Sequence, residues 1–248
     1  MGDIEGGTAL AEQVVGRTPP PDPLGVVYLV KALDTYAPDV GQELLAGLTE
    51  QTDTIELLAS RAAILARSGK LDEGRALLEA EIASREPAAA LPYRRALLRV
   101  IDDAAPEQSL EEARRLSDDY PEAPAAQLSA LQSRGIWNDL AAARTAVTRL
   151  REAIGEGSPA WRTYHARAVL AGDPTDEQIN ELIIDDLATV LRESPDDFDA
   201  LVLTARAFRM IADRRREAGD AADAAEVVNR AATYYRRATG SGVRAVAF

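Results

Sequence analysis

Apolar residues recur along the chain with a helical period, and short polar segments containing glycine or proline interrupt them. The clearest case is 195–238, where two long segments with apolar faces flank a polar turn at 218–220. Apolar positions three or four residues apart lie on one face of an α-helix. The pattern therefore predicts two antiparallel helices joined by a tight turn.

The same alternation of helix and turn continues towards the amino terminus, with recognisable start signals. Three capping-box patterns pair a small polar residue with an acidic or amide residue three positions later. They are Asp53 with Glu56, Ser109 with Glu112, and Thr175 with Gln178. We expect each pair to begin a helix, with the apolar face of the last one formed by Ile179, Ile183, Leu187 and Val190.

The remaining helices are predicted from apolar spacing and from proline or glycine at their ends. Pro92 is expected in the first turn of a helix over 92–101, because proline is tolerated there. Further predicted helices cover 24–33, 40–48, 71–86, 125–133, 137–154 and 160–170. Residues 1–23 contain four prolines within 19–23 and are predicted to be an extended lead-in. About a dozen helices and no convincing alternating strand segment predict an all-α fold.

The best of these helix pairs resembles the tetratricopeptide repeat, a helix-turn-helix unit of 34 residues. Leu201, Ala205 and Phe208 stand where that repeat has a large, a small and an aromatic residue. Positions matching its second helix are Gly219, Ala224, Val228 and Ala231, and a second match is Leu58, Ala62, Leu65, Gly69, Gly74 and Leu78. Small residues where helices cross let the two backbones approach closely.

One departure from the repeat lies in the first helix of the pair. The family pattern places the turn glycine at Ala212, whereas the chain has it at Gly219, seven residues later. Seven residues are about two helical turns, so the apolar face keeps its phase. We therefore expect a longer first helix and not a different fold.

The resemblance implies a right-handed αα-superhelix, a solenoid of antiparallel helix pairs, over 24–240. Residues 241–248 are then a tail or the start of a truncated next helix. Proteins of this family are non-catalytic scaffolds that bind a protein or peptide partner, commonly on the concave face lined by the first helix of each pair. A bacterial envelope or exopolysaccharide-export assembly is the setting that the resemblance implies.

Charge and composition narrow the classes of partner. The net charge of −13 argues against general affinity for nucleic acid or anionic membranes. No apolar run reaches the roughly 18 residues that span a bilayer, and the first residues lack a signal-peptide pattern. The expectation is a soluble chain, cytoplasmic or periplasmic. Residues 200–248 differ from the rest in carrying 9 basic against 5 acidic side chains.

Catalytic chemistry has little support in the residue types present. The chain has no cysteine and one histidine, His165, so a thiolate site, a multi-histidine metal site and a Ser-His-Asp triad are not expected. The many Asp-Asp pairs do not face each other, because adjacent helical residues diverge by about 100°. We expect no enzyme activity, no cofactor and no metal, and a packing role for His165.

An arginine cluster is the candidate peptide-binding site, because guanidinium groups suit carboxylates. Its members are Arg206, Arg209, Arg214, Arg215, Arg216 and Arg237, with Arg230 and Arg236 nearby. An acidic peptide is the partner that this cluster suggests. The alternative is intramolecular pairing with Asp213, Glu217, Asp220 and Glu226.

Three other functions stay open. The first is a polysaccharide-associated solenoid that uses Trp137, Trp161 and tyrosines as exposed stacking platforms. The second is a helical-toroid enzyme, which requires a deep cavity lined by converging carboxylates. The third is a spacer that self-associates through the ends of the solenoid.

Overall fold

The fold is known from a computed structural model that describes residues 54–246, with side chains described through residue 240. The predicted lead-in 1–23 and the predicted helices 24–33 and 40–48 lie outside this part. Across 54–246 the secondary structure is helical throughout and contains no strand, so the all-α prediction is confirmed. The described residues form two compact units, one of 54–120 with 132–138 and the other of 121–131 with 139–246. The domain expected over 24–240 spans both.

The described residues of the first unit form four α-helices and two 3₁₀ turns. The helices are α1 (Ile55–Arg67), α2 (Leu71–Ala83), α3 (Pro87–Ala104) and α4 (Ser109–Asp119). The 3₁₀ turns are Pro106–Gln108 and Gly135–Asn138. Three-residue turns join α1 to α2 and α2 to α3, so neighbours are antiparallel and α1 and α3 run in the same direction.

Helices α1, α2 and α3 pack against one another around a small apolar core. Leu58, Leu78, Leu97 and Ile101 are almost completely buried in it. At the crossing of α1 and α2, a β-carbon added to Gly74 would lie 2.5 Å from the Ala62 carbonyl oxygen. The expected role of small residues at a helix crossing is confirmed here, because only glycine admits this approach.

The second unit contains α5 (Pro124–Gln132), α6 (Leu140–Ile154), α7 (Pro159–Leu170), α10 (Phe198–Glu217) and α11 (Ala221–Val246). Between α7 and α10, a continuous helical segment consists of α8 (Asp176–Glu181), a π-helical stretch (Leu182–Leu187) and α9 (Ala188–Glu193). Helix α7 contacts α6, α8, the π-helical stretch, α9 and α10. It is therefore the central helix of this unit.

The predicted pair at 195–238 is present as α10 and α11, with the turn at the predicted position. Gly219 has a φ of +90°, which a residue with a side chain adopts only at a cost. The first helix of the pair is long, as expected, since α10 runs for 20 residues. Helix α11 continues to Val246, so 241–246 extend this pair and do not begin another helix.

Several local predictions need correction. Pro92 lies inside α3, whose first residue is Pro87. Helix α1 has Thr54 as its N-cap residue, not Asp53. Of the three capping boxes, the one formed by Thr175 and Gln178 is confirmed by reciprocal hydrogen bonds of 3.3 and 2.8 Å.

The predicted capping box at Ser109 is wrong because the hydroxyl of this residue has a tertiary role. Ser109 Oγ donates a hydrogen bond to Asp102 Oδ1 at 2.7 Å. Asp102 Oδ1 also accepts hydrogen bonds from Ser133 Oγ at 2.9 Å and from the backbone N–H of Arg134 at 2.8 Å. Gly135 N donates to Ser109 Oγ at 3.1 Å. Asp102 thus joins the end of α3, the start of α4 and the second 3₁₀ turn.

The hydrogen bonds change the proton affinity of Asp102. Burial by itself raises the pKa of this carboxyl group. The hydrogen bonds from Ser109, Ser133, Arg134 and Gly135 together outweigh burial and hold the pKa below its ordinary value. Asp102 is therefore a charged structural residue of the first unit.

Candidate functional site

A groove lies between α1 and α3 in the first unit. Its volume is about 420 Å³. Small or apolar residues line it, namely Ile55, Ala59, Ser60, Ala63, Ile64, Pro92, Ala96 and Val100. Because alanine side chains are short, they leave room between the two helix backbones for side chains of a bound segment.

Charged side chains border this α1/α3 groove. Arg67, Arg95 and Arg99 are the basic residues, and Glu56 and Asp103 are the acidic ones. Since α1 and α3 run in the same direction, Glu56 lies at the end where α1 begins and Asp103 at the end where α3 finishes. Arg95 and Arg99 are four residues apart and share one helical face. The groove is thus locally basic in an acidic chain.

The two carboxylates of the groove do not form the arrangement that a toroid enzyme requires. Glu56 and Asp103 belong to opposite ends of the groove, whereas paired carboxylates must face each other across a substrate. Within 54–246, the Asp, Glu and His side chains also form no group of three that could hold a metal ion.

The arginines predicted from the sequence bind different partners within the second unit. Arg209 and Arg216 both bind Asp213, at 3.1 and 2.8 Å. Arg215 instead reaches Asp223 on α11, with 3.3 Å between its Nη1 and Oδ2 of Asp223. Of the intramolecular partners considered above, Asp213 is therefore used, and so is Glu226, which binds Arg230 at 2.7 Å.

The other three arginines bind groups in neighbouring segments of the second unit. Arg206 donates to the carbonyl oxygen of Leu170 at 3.1 Å, at the end of α7. Arg237 donates to the carbonyl oxygen of Pro195 at 2.7 Å, and its guanidinium lies over the Tyr234 ring. Each of these contacts stabilises a helix end or a turn. A peptide-binding role for these residues stays a prediction.

Arg214 has the most extensive set of contacts in the cluster. It donates to Asp176 Oδ1 at 2.7 Å, to Asp173 Oδ1 at 3.1 Å and to the Pro174 carbonyl oxygen at 2.6 Å. The hydrogen bond with Asp176 is the main reason that the pKa of Arg214 lies above its ordinary value. Arg214 lies in the last turn of α10 and connects this helix end to the segment that precedes α8.

The tryptophans do not provide the exposed pair that a polysaccharide platform requires. Trp161 is only 8% exposed, and Trp137 is half-buried. Trp161 stacks on His165 with ring centroids 4.8 Å apart. The exposed large apolar side chains among the described residues are Ile184, Phe198 and Tyr235.

His165 has a partner that sequence spacing did not indicate. Its Nδ1 lies 2.8 Å from Oδ2 of Asp186, a buried residue in the π-helical stretch. Arg162 Nη1 donates to the other oxygen of the same carboxylate at 2.6 Å. The expected packing role is met by the stack on Trp161, but the polar contact adds chemistry that packing does not need.

The basic residues of the α1/α3 groove were not among the candidates from the sequence. The sequence contained one signal for them. Arg95 and Arg99 are one helical turn apart, and Arg67 is the last residue of α1. Charge counting favoured 200–248 because more arginines occur there. It could not show that those arginines are paired within the fold, or that residues of α1 and α3 line a groove together with three other arginines.

Comparison of the chain with protein-family models, with curated proteins and with solved structures finds no match. Among the residues that the structure describes, no helix combines the length and hydropathy needed to cross a membrane.

Proposed function

We propose that the protein is a non-catalytic interaction scaffold of the tetratricopeptide-like type and that an acidic segment of a partner protein binds in the α1/α3 groove. The observation that carries this proposal is the groove itself, whose lining includes three alanines and three arginines. The right-handed superhelix and the bacterial envelope or export setting belong to the same proposal.

The order of helices around the groove supports the assignment. In repeats of this family the first helices of successive pairs line the ligand-binding face. Here α1 is the first helix of a pair and α3 follows that pair, and α1, α2 and α3 all contact one another. The close backbone approach at Ala62 and Gly74 is between α1 and α2, whereas the residues that line the groove belong to α1 and α3.

The side chains of the groove suggest the chemistry of the partner. A volume of about 420 Å³ accommodates a few side chains, not a folded domain. Arginine binds carboxylates through two parallel hydrogen bonds, and opposite charges also guide the approach of a partner. A short amphipathic segment with small apolar residues and two carboxylates one helical turn apart fits these features.

Charge reversal in the groove tests the proposal. We expect Arg95→Glu with Arg99→Glu to weaken binding of an acidic amphipathic peptide by about tenfold or more, because two attractive pairs become repulsive. The probe is a fluorescein-labelled peptide with glutamates at positions i and i+4 beside leucine and alanine. Fluorescence anisotropy measures its affinity for the full chain, and circular dichroism checks the fold of each variant.

Two controls separate the possible sites. Arg75→Glu changes a half-buried arginine of α2 that pairs with Glu79 and is not among the residues found to line the groove, and we expect it to leave the affinity unchanged. Arg206→Glu with Arg209→Glu tests the arginines of α10. Loss of binding in this last variant alone would move the site to α10, and a lysine peptide that binds as well as the glutamate peptide would overturn the acidic-partner proposal.

A further inference from the structure

The amino-terminal part of the chain and the α1/α3 groove carry opposite charges. Residues 1–53 contain 9 acidic and 2 basic side chains, and no basic residue occurs between Lys31 and Arg61. The groove is bordered by three arginines and two carboxylates. An acidic segment is therefore joined covalently to a groove with a basic border, and opposite charges favour contact between them.

One short part of 1–53 has the carboxylate spacing that the groove requires. Asp39 and Glu43 are the only two carboxylates in 1–53 that are four residues apart. Arg95 and Arg99 have the same spacing on α3, and both line the groove. Residues four apart on a helix lie on one face, so two helices side by side can form both arginine–carboxylate pairs at once.

The apolar residues of 39–48 complement the short side chains of the groove. In the helix that the sequence predicts over 40–48, Val40, Leu44 and Leu48 share one face. The lining of the groove includes three alanines, one of which lies on α3 between its two arginines. Branched apolar side chains fill the space beside alanines, and their burial adds to the charge pairing.

The connection between this segment and α1 has a suitable length. Six residues, 49–54, separate Leu48 from Ile55, and six extended residues span at most about 20 Å. Ile55 is both the first residue of α1 and part of the groove lining. A ten-residue helix is about 15 Å long, and α1, with 13 residues, is about 20 Å long. The segment 39–48 can therefore turn back and lie along α1 in the opposite direction.

We propose that the segment 39–48 binds in the α1/α3 groove of its own chain and competes there with the acidic partner segment. This inference rests on the proposed function, because it assigns the same groove and the same arginines to a second ligand. Partner binding is then regulated, since a partner must first displace the segment that the chain itself supplies.

The short connection makes even a weak contact effective. A short tether holds the segment near the groove at an effective concentration of about 1 mM. An intrinsic dissociation constant of about 0.1 mM then suffices to keep the groove filled in roughly nine molecules of ten. The apparent affinity for a partner falls in proportion to the free fraction, which is about tenfold.

A single engineered thiol reports whether the groove is covered, because the chain has no cysteine of its own. Ala63→Cys places the thiol on α1 in the groove lining. Intact-mass spectrometry follows its alkylation by N-ethylmaleimide in the full chain. We expect Asp39→Lys with Glu43→Lys to speed the alkylation about tenfold, because the segment then leaves the groove.

Matched variants distinguish release of the segment from a change in charge or loss of the fold. Asp34→Lys with Glu50→Lys makes the same change in net charge outside 39–48 and is expected to leave the rate unchanged. A thiol at Ala225, which is exposed on α11, should react at one rate in all variants. Adding Arg95→Glu and Arg99→Glu to the Asp39→Lys, Glu43→Lys chain exchanges the charges and is expected to restore slow alkylation. Circular dichroism checks the helical content of each variant.

Two results of the alkylation experiment would overturn the proposal. One is an equal rate at the groove thiol in the wild-type sequence and in the Asp39→Lys, Glu43→Lys chain, which is also the result if 39–48 packs elsewhere. The other is protection that increases with protein concentration, because a second copy of the chain would then be the occupant.

Peptide binding separates this inference from the proposed function. Fluorescence anisotropy with the glutamate peptide is expected to give an affinity about tenfold higher for Asp39→Lys with Glu43→Lys than for the wild type. Equal affinity in the two chains would overturn the intramolecular competition alone. No peptide binding to either chain, with the groove thiol still protected in the wild-type sequence, would overturn the partner proposal alone.

Discussion

Replacing Asp102 with alanine is expected to lower the free energy of unfolding of the first unit by about 3 kcal/mol, because buried donors would lose their acceptor. Ser109 and Ser133 are almost completely buried and both donate to Asp102 Oδ1. The Arg134 N–H donates to the same atom. Urea unfolding followed by circular dichroism measures the loss.

Asp103 provides the matched control for this experiment. It is the next residue along α3 and is exposed. We expect Asp103→Ala to change the free energy of unfolding by less than about 0.5 kcal/mol, as is usual for surface substitutions. An equal loss in both variants would show that the effect comes from the helix end and not from the buried hydrogen bonds.

The contribution of Asp102 also depends on pH, with a definite sign. Its pKa is lower in the folded chain, so the unfolded chain binds the proton more readily. The stabilisation is therefore complete above the ordinary aspartate pKa of about 3.9 and is lost as the pH falls through the folded-state value. The difference between wild type and Asp102→Ala should shrink below about pH 4, as urea midpoints at several pH values would show.

The effect of Glu112 on the pH dependence of stability is opposite to that of Asp102. For this reason the wild type must be compared with Asp102→Ala. Burial raises its pKa although Arg94 and Arg115 lie nearby. A raised carboxyl pKa favours folding at low pH, and this contribution is lost as the pH rises through the folded-state value. The pH profile of the wild type alone combines both groups, whereas the difference from Asp102→Ala isolates Asp102.

Replacing Gly74 with alanine is expected to destabilise the first unit by about 2 kcal/mol, because the added carbon would overlap the backbone of α1. The distance to the Ala62 carbonyl oxygen would be 2.5 Å, and a backbone atom cannot rotate away as a side chain can. Alanine improves helix propensity by about 1 kcal/mol, which is smaller than the expected cost of the overlap. Thermal unfolding measures the net effect.

Gly240 is the control that separates propensity from packing. It also lies inside a helix, α11, and a β-carbon there would meet nothing within 4 Å. Gly240→Ala is expected to be neutral or slightly stabilising. If Gly74→Ala were stabilising as well, the close crossing of α1 and α2 would be refuted, along with the packing argument for the repeat-like pair.

The stability predictions also affect the proposed function. The α1/α3 groove is shaped by the packing of α1, α2 and α3, and a shift of α1 at Gly74 would change its width. Asp102 lies one position before Asp103, which borders the groove. Binding by the variants Arg95→Glu and Arg99→Glu should therefore be compared at equal folded fractions.

Helix positions were predictable from the sequence because apolar periodicity is a local signal. The turn at Gly219, the capping box at Thr175 and the long first helix of the terminal pair all depend on residues close together in the chain. The same signal could not show the π-helical stretch, where Ile183 and Leu187 still fit an α-helical face. A π-helical turn has no distinctive residue type that the sequence could reveal.

The candidate sites were decided by contacts between distant residues. His165 and Asp186 are 21 positions apart, and Asp186 resembled any solvated acidic residue in a sequence with many Asp-Asp pairs. Arg214 looked like part of a peptide-binding cluster until the fold placed Asp173 and Asp176 beside it. The charge of a side chain indicates the charge of the group that binds it. Only the fold shows whether that group belongs to the same chain.

For the part of the chain that the structure describes, the sequence by itself determined an all-α fold of helices joined by short turns, including a terminal pair with a long first helix. This was possible because backbone propensity and apolar spacing act over a few residues. Only the tertiary structure decided that Ser109 binds Asp102 and does not cap a helix, and that alanines of α1 and α3 form a groove beside Arg95 and Arg99. It also brought Asp186 to His165. Such contacts depend on which helix faces meet, and packing of the whole unit sets that choice.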